Sequence, residues 1–282
     1  MKHKLIITAF LCIIIGFTSY SQINYAKEND FKDFIKTKTL IVLEDNMFSV
    51  FNGVLKQAVA DYWKITEYEF ITQKDFEKKK ANRSYSFIML SDAMLDYKGS
   101  SYKYNMLNLV LGGKAKNLNE MPDLGSVPLS IYSEEGEDDF NYKVGGVLQF
   151  MQFWVNYNLK HPNVKFTDIT KLNTENIKEK ELWLLKEDLA DNVNTIEKIK
   201  KYYQGVVKLV TTEDIENAFK QHTENDVIIL HKVGPGNNAS KGVCWKFLIS
   251  TKDGRPVYFD QHKINATNPD AFLASDFEKI NK

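Results

Sequence analysis

Cysteine is almost absent. Of the two in the chain, Cys12 lies in an apolar N-terminal run and Cys244 stands alone in the remainder. One thiol closes no intramolecular disulfide, so the fold must rest on packing. Flanked by Val243 and Trp245 in a strand-like run, Cys244 reads as a buried apolar residue. Net charge is absent too. The 37 basic side chains match 37 acidic ones, which gives no field to gather nucleic acid or to hold an anionic membrane. The apolar run Leu5 to Phe17 falls short of the roughly 20 residues a membrane-spanning helix needs.

Local catalytic signatures are missing as well. His161, His222, His231 and His262 form no H-x-x-x-H or H-x-H pair of the kind a metal site shows. Assembly of His222, His231 and His262 across the fold stays open, since all three belong to one stretch of the chain. Gly234 to Gly242 has the composition of a phosphate loop without its G-x-x-x-x-G-K-[ST] spacing, and a strand-like run follows it. There is no G-x-S-x-G elbow and no H-E-x-x-H. No catalytic, cofactor-binding or metal-ligating residue is assigned from the sequence, and no cofactor is expected. Carboxylate pairs for glycoside chemistry depend on separation in space and stay open.

What is present begins with a leader pattern. Lys2 and Lys4 are followed by the apolar run and then by Ser19-Tyr20-Ser21, a small-x-small cleavage site. Residues 1–21 therefore read as a signal peptide with the mature start near Gln22. The expected location is periplasmic or secreted, with no stable membrane insertion after cleavage. Removing the two lysines leaves 35 basic against 37 acidic side chains, a net of −2. Hydrophobic residues make up 43% and charged residues 26%, an ordinary globular balance. Aromatics are plentiful at 13%, as strand-rich cores require, though a stacking surface for sugars or bases draws on the same residues.

The chain also looks duplicated. Tyr68 to Asp75 ends a strand-like run at Thr72 and starts a capped helix by T-x-x-D; Val207 to Asp214 does the same at Thr211. Capping accounts for the repeated acids Asp75 and Asp214. Around these, Thr39 to Leu43 reads as a strand buried on both faces, and Leu182 to Leu185 echoes it. Phe51, Val54, Leu55, Ala58, Val59 and Tyr62 fall on one helix face, capped by Asp45 or Asn46. Leu189, Val193, Ile196, Ile199 and Tyr203 make the second such face. Val144, Val147, Leu148, Met151, Val155 and Leu159 predict an aromatic-rich helix behind the acidic loop 134–139, whose spacing is wrong for calcium. Asp253-Gly254 marks a hairpin, and Asn268-Pro269 a last helix start.

Each half reads β-α-β-α-β-β-β-α, so the expected fold is α/β (or α+β), two tandem repeated domains with mixed sheets. The first occupies 22–162, a polar connector 163–180, and the second 181–282. The leader ending Ser-Tyr-Ser-Gln, the run K-T-L-I-V-L, the step Tyr-Trp-Lys-Ile-Thr at Tyr62 to Thr66 and L-x-x-x-K-E-D-L at Leu182 to Leu189 resemble uncharacterised exported proteins of the Bacteroidetes. The resemblance implies an envelope location and carries no activity. The expected function is a non-catalytic binding or interaction protein using the interface between the two domains. Its partner would be another envelope protein or a small-molecule ligand, not nucleic acid. The alternative is an exported hydrolase acting on a glycan or peptide.

Overall fold

The computed structural model describes residues 24–281 except 47, 133–139, 165–167, 169–176, 221–225 and 237–238. The leader, the acidic loop, most of the connector and His222 lie outside the described residues.

The first half runs α1 (Glu28–Phe34), β1 (Lys38–Val42), α2 (Val50–Tyr62), β2 (Tyr68–Ile71), α3 (Gln73–Lys79), β3 (Tyr85–Tyr97), β4 (Ser100–Leu111), β5 (Val127–Ile131) and α4 (Val144–Lys160). The second runs β6 (Glu181–Leu185), α5 (Ile196–Ile199), β7 (Val206–Val210), α6 (Thr212–Lys220), β8 (Val227–Val233), β9 (Val243–Ser250), β10 (Pro256–Lys263) and α7 (Ala274–Ile280). The strands form two five-stranded mixed sheets, ordered β2-β1-β3-β4-β5 and β10-β9-β8-β6-β7. The second order is the first read from the other edge. Pairing sense matches as well: β1 is parallel to β2 and β3 as β6 is to β7 and β8, and the last two strands of each half add antiparallel. This is an α/β fold consistent with two similar domains.

Both T-x-x-D starts are capped helices. Thr72 Oγ1 accepts the Asp75 N–H at 3.2 Å and donates to Asp75 Oδ2 at 2.9 Å; Thr211 makes the same two bonds to Asp214 at 3.2 and 2.8 Å. Strand alternation then divides the core. Leu40 and Val42 of β1 pack with Phe76 of α3 on one side of the first sheet, while Ile41 turns inward to α2 and α4. In the second sheet Ile228 and Leu230 pack toward α7, whereas Val227 and Ile229 face α4. Helix α4 is consequently covered from both halves, and the core around it is continuous from Phe31 to Ile249.

Three local expectations differ from the structure. Helix α2 is capped by Ser49, whose Oγ accepts the Asn52 N–H at 3.2 Å, and not by Asp45 or Asn46. The face from Leu189 to Tyr203 is buried at Leu189, Val193, Ile199 and Tyr203, yet the backbone makes 3-10 turns and the single helical turn α5. Ala190 N–H is drawn off to Phe272 O at 3.1 Å, and Asp191, Asn192, Asn194 and Thr195 favour local turns over a continuous helix. The last helix starts at Ala274 rather than after Asn268-Pro269. There Asp276 accepts the Leu273 N–H at 2.7 Å and is itself gripped by the buried Lys246, with Nζ 2.7 Å from both oxygens. Strands β3 and β4 form one long hairpin closed by Lys98-Gly99, both at positive φ, as a two-residue primed turn requires.

A candidate binding groove between the halves

The two halves meet first in a closed seam. Lys143, just ahead of α4, donates to Leu129 O of the first half at 3.1 Å and to Lys232 O of the second at 3.0 Å. His231 Nε2–H donates to Pro128 O at 2.8 Å. Lys232 Nζ donates to Asp270 O at 3.0 Å and lies 3.3 Å from Asp270 Oδ1 and 3.7 Å from Asp188 Oδ1. Burial lowers the Lys143 ammonium to about 8. Burial, with the Lys143 charge adding to it, lowers His231 to about 3, and burial raises the Asp188 carboxyl. These ionisable groups are enclosed and bonded to backbone or to one another, as buried charge must be. They join the halves, and Lys143 and His231 border a small slot of about 20 Å³ beside Tyr142 and Phe219.

Beside the seam lies an open groove. Helix α2 contributes Val54, Gln57, Ala58, Asp61 and Tyr62, successive residues on one helical stripe; α6 contributes Glu216, Phe219 and Lys220. Between them, the floor is Asn141, Tyr142 and Gly145 at the start of α4. The Gly145-Gly146 pair allows this closeness. A Cβ on Gly145 would come within 2.7 Å of the Tyr62 ring and one on Gly146 within 2.4 Å of the Phe219 ring. One aromatic from each half thus rests on the same helical turn. Gln152 of α4 fixes the end of α2, donating to Tyr62 O at 2.8 Å and accepting the Lys64 N–H at 2.7 Å. The inner slot holds about 50 Å³, and Gln57, Asp61, Tyr62 and Lys220 also line an outer cleft of about 440 Å³. Burial raises the Tyr62 phenol to about 12, with Asp61 and Glu216 adding to the shift.

A second cleft of about 560 Å³ lies at the base of the first sheet, among Lys36, Lys38, Lys64, Thr66 and Glu67. Its wall carries a hydroxyl relay. Trp63 Nε1–H donates to Thr66, and Thr37 donates to Phe34 O at 2.7 Å. Ser86 must therefore donate to Thr37, Thr39 to Ser86 and Thr66 to Thr39, since each hydroxyl has a single proton. Every proton of that chain is used internally, and the relay ties β1 to β3.

The residues weighed in the sequence are scattered. His161 stacks on Tyr157 at the exposed end of α4 with ring centroids 4.2 Å apart, and His262 bonds Pro269 O at 2.8 Å. Among the described residues no group of three or more His, Cys, Asp or Glu is placed to hold a metal. Cys244 is fully buried and its thiol pushed up by that burial. Gly234 to Gly242 connects two strands, with the Gly236 N–H on Asp270 Oδ2 at 2.8 Å. Sequence reading placed Val54, Ala58 and Tyr62 on a core face without marking them as a wall. The adjacent glycines inside a helical pattern were the available signal. Comparison with known proteins finds no matching family model, no matching curated protein and no matching solved structure.

Proposed function

We propose that this chain is an exported envelope protein that binds a ligand or partner in the α2–α6 groove without transforming it. One contrast carries the reading. The titratable groups in mutual contact between the halves are held in the seam, whereas the open groove has a floor of Asn141, Tyr142 and Gly145 and a rim whose polar side chains pair within their own helices, Gln57 with Asp61 and Lys220 with Glu216. Binding sites are mostly apolar with a few placed polar groups; catalysis needs groups that reach the substrate and one another. The leader pattern supports export.

The hydrolytic alternative has one observation on its side: Asp61 and Glu216, from different halves, both act on the Tyr62 hydroxyl. Each is already engaged, Asp61 by Gln57 at 2.9 Å and Glu216 by Lys220 at 2.6 Å. A thermal-shift screen of sugars, peptides and metals, run beside a hydrolase panel on the exported chain, tests the reading. Stabilisation without turnover is expected, lost when Gln57→Trp fills the outer cleft. Turnover abolished by Asp61→Asn or Glu216→Gln would overturn it.

A further inference from the structure

Strand β3 outruns its neighbour. Strand β1 pairs with it only from Tyr85 to Met89, while β4 follows it all the way to Tyr97. Residues 90–97 therefore have a strand on one side alone, and among the described residues no other strand adds to that edge. The second half has no such arm, since β8 stops at Val233 and β9 starts at Val243. The turn decides which backbone groups are left over. Across a two-residue turn the flanking pair, Tyr97 and Ser100, exchanges both bonds, so the ladder to β4 uses Tyr97, Leu95 and Ala93, and Asp92, Met94 and Asp96 aim theirs outward. The partner strand keeps the same phase: Lys103, opposite Met94, sends its carbonyl away from β3 to accept the Tyr132 N–H at 2.7 Å. The arm is braced. Tyr102 on β4 donates to Lys241 O at 2.7 Å, and Tyr104 meets Trp245 edge-on with ring centroids 5.4 Å apart. A fixed strand with an unpaired edge is a template for another strand.

Side chains narrow the choice of partner. Edges are ordinarily shielded by proline, lysine, a bulge or short length, yet residues 90–97 hold no proline or lysine and run in unbroken register. Met94 stands 62% exposed on this edge, with Asp92 and Asp96 exposed to either side. Neither acid is a ligand site by itself, because Asp92 already holds Lys103 at 2.7 Å and Asp96 the Ser101 hydroxyl. What they do is select. A second copy adding antiparallel with Met94 on Met94 would set Asp92 against Asp96 twice, and like charges directly opposite destabilise a sheet. Basic side chains at those two places turn repulsion into attraction. We infer that the β3 edge accepts an extended peptide segment of a partner protein, antiparallel, with an apolar residue opposite Met94 and basic residues opposite Asp92 and Asp96. Backbone bonds give the affinity and the alternate side chains the specificity. This surface shares no residue with the α2–α6 groove and goes beyond the reading of that groove.

The test titrates the intact protein with the blocked peptide Thr-Lys-Thr-Val-Thr-Lys-Thr, its glutamate analogue and a copy N-methylated at the valine, followed by amide chemical shifts and hydrogen exchange. Saturable binding of the lysine peptide in the millimolar range or tighter is expected, with added protection at the Met94 and Asp96 amides. The glutamate and N-methyl peptides should bind about tenfold more weakly. Met94→Pro removes an N–H that β4 does not use, so it should abolish binding and leave the melting temperature nearly unchanged. Asp96→Lys, which keeps every backbone group, should remove the preference for lysine over glutamate. No saturation, equal binding of the N-methyl peptide, glutamate matching lysine, or protection at β2, β7 or β10 in place of β3 each overturns the inference. Dimerisation through residues 90–97 that shuts out the peptide would overturn it too.

Discussion

His231 illustrates how a single side chain sets a condition on the whole junction. Its Nε2–H is held by Pro128 O, and its ring packs 5.9 Å from that of Phe247, so the imidazole is buried in its neutral form. An unfolded chain takes up that proton below about 6.5, while the folded one resists until about 3. The contribution is therefore complete above pH 6.5 and is lost as pH falls from there toward 3, at up to about 1.4 kcal/mol per pH unit. Urea unfolding of the protein at stepped pH should show this decline, and His231→Gln, which keeps a donor but does not titrate, should flatten it by one proton. An unchanged slope in the variant would mean His231 is not the group responsible. Lys143 works in the same sense over a higher range of pH. Lowered to about 8, it destabilises while charged, and its penalty is relieved as pH rises from 8 toward its unfolded value. Neither group could be recognised from sequence, because a lone His or Lys in an apolar run gives no sign of which carbonyl it will meet.

At the scale of elements, α4 is where the two halves become one structure, and its first turn carries the account. Gly→Ala inside a helix ordinarily stabilises by about 0.5–1 kcal/mol. Gly53, on α2 with nothing within 4 Å of an added Cβ, should follow that rule. Gly145→Ala and Gly146→Ala should reverse it, because Tyr62 and Phe219 occupy the space, with an expected loss of about 1–3 kcal/mol. Chemical denaturation of the three variants decides the matter by sign: stabilisation at Gly145 or Gly146 would show that the aromatics can move aside. The elements also show what was legible. Periodicity found the buried side of Leu189 to Tyr203 but not its hydrogen bonding, since burial is set by side-chain spacing while the Phe272 carbonyl competes for the backbone. Thr72 and Thr211 were legible because a cap is decided within four residues. The helix start at Ala274 was not, because Asp276 is positioned by Lys246 from a distant strand.

The whole molecule is two sheets of the same order and pairing sense, back to back around a shared core. Element order and mixed sheets were readable from alternation, turn chemistry and the doubled T-x-x-D. The groove was not, because it is assembled from three segments far apart in the chain, residues 54–62, 141–145 and 216–220, none of which carries a motif. Its position at the junction draws on both halves: the first supplies the α2 wall and the floor, and the second supplies the α6 wall with Phe219. Hydrogen exchange of the protein, with and without the best ligand from the thermal-shift screen, tests this most directly. Added protection is expected along Val50–Tyr62, Thr212–Lys220 and the first turn of α4, with the ligand recovered chemically unchanged. Protection confined to the lysine-lined cleft at the base of the first sheet, or a ligand recovered cleaved, would contradict it.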